Sequence, residues 1–292
     1  MSRTQMFEPL ERRTLLSGGS LSVWTGAGDG TSWHDSLNWE DHRLPNTSDD
    51  VVLNTRRGYP TILVDQSESV RSVSSHLILK ITGSLSLSNT SNFDAPVMLE
   101  GTLKLLPGSD GVIRMTELEI ADAAAFDLAD GTLIIDYADG SSPLNAIRTA
   151  LASGYDGGRW NGAGLSSSSA ALNPGHALGY AEASALFSQF PAAFAAEELD
   201  DTSILVRYTL QGDADLNRTV DSTDFNILAS HFGSTGLWSN GDFDYDTIVN
   251  LNDFNTLASR FGQILAAPQA QASVFSGRAI EDDREDRIEE LV

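Results

Sequence analysis

Two stretches near the C-terminus carry oxygen-bearing side chains at alternate positions, GDADLNRTVDSTDFNILASHFG from Gly212 and GDFDYDTIVNLNDFNTLASRFG from Gly241. They align without a gap, so the chain contains an internal duplication. Counted from the first aspartate, positions 1, 3, 5, 7, 9 and 12 are Asp213, Asp215, Asn217, Thr219, Asp221 and Asp224 in the first copy. In the second they are Asp242, Asp244, Asp246, Ile248, Asn250 and Asp253. This is the spacing of a calcium loop. A hard divalent cation takes six to eight oxygens at about 2.3–2.6 Å, and acids at every second residue of a tight loop converge on one point. Position 7 supplies a backbone carbonyl, which leaves Thr219 and Ile248 free to differ, and position 9 often acts through water, which suits Asp221 and Asn250.

The elements that must hold these loops are legible in the flanking residues. Phe225, Leu228, Ala229 and Phe232 recur at i, i+3, i+4 and i+7, as do Phe254, Leu257, Ala258 and Phe261. That spacing predicts one helix per copy with a single apolar stripe. Asp221 with Asp224, and Asn250 with Asp253, form capping pairs at the helix starts. Gly233 and Gly262 stand where a left-handed residue ends a helix. Ser203 to Tyr208 reads as a strand, so no helix precedes the first loop. Position 6, where the turn favours positive φ and hence glycine, is Arg218 in one loop and Thr247 in the other.

With only an exiting helix per loop and Asp at position 12, residues 212–262 resemble a type I dockerin. The resemblance implies a two-helix module with two Ca2+ sites and a cohesin-like or other surface protein as partner. It also implies that positions 10 and 11, which are Ser222, Thr223, Leu251 and Asn252, help to choose that partner. The loops are expected to fold only around the ion, so that a chelator unfolds residues 212–262 while the solenoid persists.

The whole chain has 292 residues, 41% of them apolar, a net charge of -23 and no cysteine. The acid excess excludes nucleic-acid binding, which draws its affinity from Lys and Arg. The lack of cysteine excludes a disulfide framework, thiol catalysis and thiolate metal sites. No apolar run is long enough for a transmembrane helix. The segment FEPLERRTLLSGG from Phe7 resembles the Leu-Glu-Pro-Arg-x-Leu-Leu sorting segments of planctomycete surface and secreted proteins, which implies a secreted or cell-surface location.

From Val23 to Asn54, Trp24, Trp33 and Trp39 sit among turn-forming residues. This resembles the opening segment of parallel β-solenoids in secreted bacterial proteins, where such rings cover the open end of the coil stack; a sugar-stacking platform is the alternative. Between Thr61 and Tyr137 the pattern is of short alternating segments such as TILVD, SLSLS and TLKLL, which predict half-buried strands. Gly83-Ser-Leu-Ser-Leu, Gly101-Thr-Leu-Lys-Leu and Gly131-Thr-Leu-Ile-Ile share a phrase, suggesting stacked rungs that bury Leu85, Leu87, Leu103, Leu105, Leu133 and Ile135 in vertical rows. The expected fold is mainly β with a small α module: a short right-handed parallel β-helix or solenoid, with a β-sandwich as runner-up, followed by the two-helix calcium module. The divisions are a leader (1–20), a Trp-rich cap (21–60), the solenoid (61–137), a Gly/Ser/Ala-rich connecting module (138–200), a strand and link (201–211), the paired loops (212–262) and an acidic tail (263–292).

Within the connecting module, Ser142 and Pro143 open a helix with Leu144, Ile147 and Leu151 on one face, which Gly154 is expected to stop. Gly157 to Gly164 and Ser166 to Ser169 read as a mobile loop. His176 to Phe190 reads as a second helix or a terminal strand with Tyr180, Leu186 and Phe187 inward. The Gly-Tyr-x-Gly-Gly-x-Trp run resembles a linker that precedes dockerin repeats in planctomycete surface proteins. For catalysis the candidates are Asp94, Glu100, Arg114, Glu117, Glu119, Asp122 and Asp127, whose spacing matches no site pattern. Two functions follow as expectations: a non-enzymatic, calcium-dependent docking protein, or a component of extracellular polysaccharide degradation, either a β-helix hydrolase or lyase or its accessory subunit.

Overall fold

The computed structural model describes residues 19–54, 58, 60–109, 111–138 and 140–266. The sorting segment from Phe7 and the acidic tail beyond 266 lie outside these residues. The chain is mainly β, with a parallel solenoid of about four turns. Its long sheet runs in the order β1 (Ser20–Val23), β2 (Asp49–Leu53), β5 (Ser72–Ser75), β8 (Ser91–Phe93), β11 (Val112–Met115), β14 (Thr132–Asp136), β19 (Ser203–Leu210) and β16 (His176–Glu182). A second sheet stacks β4 (Ser67–Val70), β7 (Ser84–Leu87), β10 (Thr102–Leu105), β13 (Ala125–Asp127) and β15 (Gly164–Ser166). The third holds β3 (Ile62–Val64), β6 (Leu79–Ile81), β9 (Val97–Leu99) and β12 (Leu118–Ile120). A separate hairpin pairs β17 (Ala192–Phe194) with β18 (Glu197–Leu199).

Parallel pairing in successive coils rules against the sandwich. Each coil donates one strand to each sheet, and alternate side chains point inward. The inward rows are continuous: Leu85, Leu103, Phe126 and Leu165 are register partners in the second sheet, and Ile62, Leu79, Val97 and Leu118 in the third. The shared phrase at Gly131 misleads in one respect. Leu133 and Ile135 do not stack on the leucines after Gly83 and Gly101; they belong to the long sheet and pair with Ile113 and Met115. All six residues are buried as expected.

Trp24, Trp33 and Trp39 are each at most 2% exposed and pack edge to face, with centroids 5.1 and 5.0 Å apart. Such burial leaves no ring free to stack on a sugar. Ser32 bridges Leu63 and the Trp33 N–H donates to the Leu63 carbonyl at 3.0 Å, so the Trp loop covers the first strand of the third sheet.

The segment after residue 137 differs from expectation in two places, and after His176 it takes the second of the two forms expected. Helix α1 (Leu144–Tyr155) runs through Gly154 rather than stopping at it, because the glycine is needed for close approach: a Cβ there would lie 1.8 Å from the Leu165 carbonyl oxygen. The supposed loop contains β15, fully buried in the second sheet, and the short helix α2 (Ser168–Leu172), capped by Ser167. The solenoid pairing therefore continues past residue 137. His176 to Glu182 is the strand, with Tyr180 buried, while Leu186 and Phe187 are half-buried at and just after the single-turn α3 (Ala183–Leu186). The two helices of the repeats are α4 (Ser222–His231) and α5 (Leu251–Arg260).

Candidate metal centre

Strand β19 delivers the chain to the first loop, and the loop's curvature is set by backbone in the left-handed region. Leu216 and Arg218 have φ of 60° and 71°, and Tyr245 and Thr247 repeat this at 61° and 77°. For the β-branched Thr247 that conformation is strained. Bending inward turns the backbone N–H groups onto the carboxylates in the same way in both copies. Arg218 N donates to Asp213 Oδ2 at 2.8 Å and Thr247 N to Asp242 Oδ2 at 3.0 Å. Ala214 N donates to Asp224 Oδ1 and Phe243 N to Asp253 Oδ1, both at 2.7 Å. Position 12 also closes the helix start. Asp221 N donates to Asp224 Oδ2 and Asn250 N to Asp253 Oδ2, both at 2.8 Å, completing capping boxes.

The folding of the loops brings acids together. Carboxylate oxygens of Asp213, Asp215 and Asp224 lie within 4.8 Å of one another, as do those of Asp242, Asp244 and Asp246. Asn217 stands beside the first group, its side-chain amide 3.0 Å from Asp215 Oδ2. Asp253 is outside the second triad; burial raises its pKa, and the charges of Asp244 and Asp246 add to the rise. The position 9 side chains cap the helices: Asp221 Oδ1 accepts from Thr223 N at 2.6 Å and Asn250 Oδ1 from Asn252 N at 2.7 Å, while the Asn250 amide also donates to Asp246 Oδ2 at 3.3 Å. At position 7, Thr219 and Ile248 form antiparallel bridges to Ile264 and Thr235, so each loop is clasped to the end of the other copy's helix. Ser222, Thr223, Leu251 and Asn252 are exposed in the first turns of α4 and α5.

Electrostatically the two clusters are uncomfortable as they stand. Asp213, Asp224, Asp242 and Asp253 are all buried. Burial pushes Asp213 and Asp242 up to about 7 and Asp224 to about 6, with neighbouring aspartates adding to each shift. Asp213 is fully engaged, accepting from Asn217 N, Arg218 N and the Thr209 hydroxyl. Asp242 is not: its Oδ1 is buried without a hydrogen-bond partner. A buried carboxylate oxygen with no donor carries its full desolvation cost.

The helix stripes are divided between core and surface. Leu228 and Leu257 are 1% exposed, but Phe225, Phe232, Phe254 and Phe261 are 36–55% exposed. Phe225 and Phe254 meet edge to face across the two helices, with centroids 6.4 Å apart. Two helices of three turns each have little to cover them, and their apolar sides are left facing outward. Sequence reasoning missed Thr209, which holds Asp213, and Trp238, whose indole N–H donates to the Asp213 carbonyl at 2.7 Å. A tryptophan in the short Ser/Gly link between the copies was the available signal.

The solenoid acids are dispersed. Asp94 meets His76, Glu100 meets Lys80, Asp127 meets Lys104, and Arg114 meets Asp136. Glu117, Glu119 and Asp122 are exposed. Comparison with family models, curated proteins and solved structures returned no match.

Proposed function

We propose that residues 212–262 bind two calcium ions and that the helices so ordered dock a partner protein in the manner of a type I dockerin, on a secreted or cell-surface protein. The observation that carries this reading is the unpartnered Oδ1 of Asp242, fully buried beside Asp244 and Asp246. Among the described residues no donor reaches that oxygen, and a cation would compensate it. The donor set fits calcium by its chemistry: all oxygen, all carboxylate, with no imidazole or thiolate in either triad.

The docking part of the proposal rests on the exposed Ser222, Thr223, Leu251 and Asn252 and on the aromatic side chains left uncovered behind them. A cohesin-like protein is the partner class that the resemblance to a dockerin implies. A role in polysaccharide degradation draws no support from the solenoid, where four of the seven candidate residues are taken up in separate ion pairs. Titration calorimetry of the full chain with calcium chloride is the test. Two ions are expected, falling to one with Asp213→Ala or with Asp242→Ala; absence of any saturable heat would remove the metal and the docking role together.

A further inference from the structure

The third sheet of the solenoid is closed at one end and open at the other. At the first strand, Leu63 exchanges hydrogen bonds with the Trp loop, its N–H to the Thr31 carbonyl at 2.9 Å and its carbonyl from Trp33 N at 3.0 Å. At the last, β12 has one neighbour among the described residues, β9. The flanking sheets each continue by a further strand, β14 beyond β11 and β15 beyond β13, but between them the chain leaves as α1. One rung of the third sheet is therefore missing.

The ladder shows which groups this leaves bare. Val97 N donates to the Glu117 carbonyl and Ala121 N to the Leu99 carbonyl, so residues 117, 119 and 121 turn towards β9. Alternate residues of a parallel strand turn their N–H and C=O the other way. Leu118 and Ile120 thus present both groups to the open side. Their side chains end the inward rows: the six residues below them, from Ile62 to Leu99, are at most 1% exposed, whereas Leu118 and Ile120 are only half-buried. Above them is a cavity of about 500 Å³ lined by Leu118, Ile120, Ile147 and Ala150. That lies within the usual range of ligand clefts, about 300–1,000 Å³.

We propose that this edge accepts a short extended peptide from a partner protein, which pairs with β12 as the missing strand. The peptide carries apolar residues at alternate positions, filling the space over Leu118 and Ile120, with Lys or Arg between them. Charge selects this occupant. Glu117, Glu119 and Asp122 line the groove and its continuation, and among the described residues neither part is lined by Lys or Arg. A second copy of a chain with net charge -23 would bring acid against acid, and like charges directly opposite across a strand pair are destabilising.

The test uses the full chain in calcium-containing buffer, with the fluorescein-labelled peptide acetyl-Lys-Val-Lys-Ile-Lys-amide as probe. Saturable binding by fluorescence anisotropy is expected, weakened by about fivefold in Glu119→Lys through loss of the cross-strand charge pair. The Glu-for-Lys analogue of the peptide is expected not to bind. Ala150→Trp, which fills the groove from α1 without touching β12 pairing, should abolish binding. Hydrogen exchange gives a reading independent of substitution. At about ten times the Kd, the Leu118 and Ile120 amides should slow by about tenfold while Glu119, already bonded to β9, does not change. No saturation at about 1 mM, equal binding of the acidic peptide, protection confined to other strands, or self-association that protects Leu118 and Ile120 in the free protein would each overturn the proposal.

Discussion

Asp242 shows at the scale of one residue how a binding site opposes the fold that builds it. Its Oδ2 is held by Thr247 N, while Oδ1 is buried beside other acids with no donor. Replacement by Asn keeps an acceptor and turns an N–H donor and a neutral group into the cluster. Asp242→Asn is therefore expected to lose one calcium site and yet to stabilise the calcium-free protein at pH 7, by about 1 kcal/mol or more. Paired denaturation curves with and without chelator check both signs. The same physics gives a pH dependence. Folding raises Asp213 and Asp242 to about 7 and Asp224 to about 6, chiefly by burial. Between their ordinary value and these, the folded calcium-free protein holds protons that the unfolded chain has released. Its stability from these groups is full below about pH 4 and is lost as pH rises through about 6 to 7. Binding of the cation expels those protons, so calcium affinity should climb from pH 5 to 7 and flatten above. Calorimetry in buffers of different ionisation enthalpy reads the proton release directly; an affinity indifferent to pH in that range would contradict the buried-acid account.

At the scale of elements, what could be read from the sequence was whatever repeats along the chain or is fixed by near neighbours. The loops, their capping pairs and the helix ends at Gly233 and Gly262, with φ of 80° and 81°, depend on residues within a few positions. Alternation within SLSLS and TLKLL told which side chains face inward. It could not tell which of three sheets a rung joins, since a period of two is common to all; hence Leu133 stacks on Ile113 rather than Leu103. Strand β15, only Gly164-Leu165-Ser166, has no pattern of its own and is a strand because β13 offers it an edge. Gly154 carries the lesson most sharply. By helix propensity alone an alanine there would stabilise α1, and punctuation rules make the glycine a stop. The Leu165 backbone, 1.8 Å from the position of a Cβ, reverses the sign. Gly154→Ala is expected to destabilise the protein by about 1–3 kcal/mol, as overpacking does. Urea denaturation measures it, and a gain in stability would mean that α1 and β15 do not approach in this way.

On the scale of the molecule, the loops are packed against the sheet that precedes them. Tyr245, at position 4 of the second loop, is buried and its phenol is held protonated by that burial, donating to the Leu178 carbonyl of β16 at 2.8 Å. Its ring stacks on Tyr180 with centroids 6.2 Å apart and meets Tyr155 of α1 at 4.9 Å. Trp238 sits so close over Gly179 that a Cβ there would lie 2.6 Å from its Nε1. One hydrophobic cluster runs from the Trp cap through the solenoid to Leu228 and Leu257. A chelator acting on the loops should then act on the sheet that carries them, contrary to the expectation that residues 212–262 unfold alone. With calcium at about a hundred times its Kd, each site contributes about 2.7 kcal/mol to the folded state. If the aromatic contact couples the two parts, removing the ion lowers the opening free energy of the β16 and β19 amides by an amount of that order, and thermal unfolding stays a single transition that moves to lower temperature. Hydrogen exchange on the Tyr180 and Val206 amides, with and without chelator, decides it. Unchanged exchange there, with a separate low-temperature transition for the loops, would show that the cation's stabilisation ends at the loops and that Tyr245 and Trp238 pack against the sheet without transmitting it.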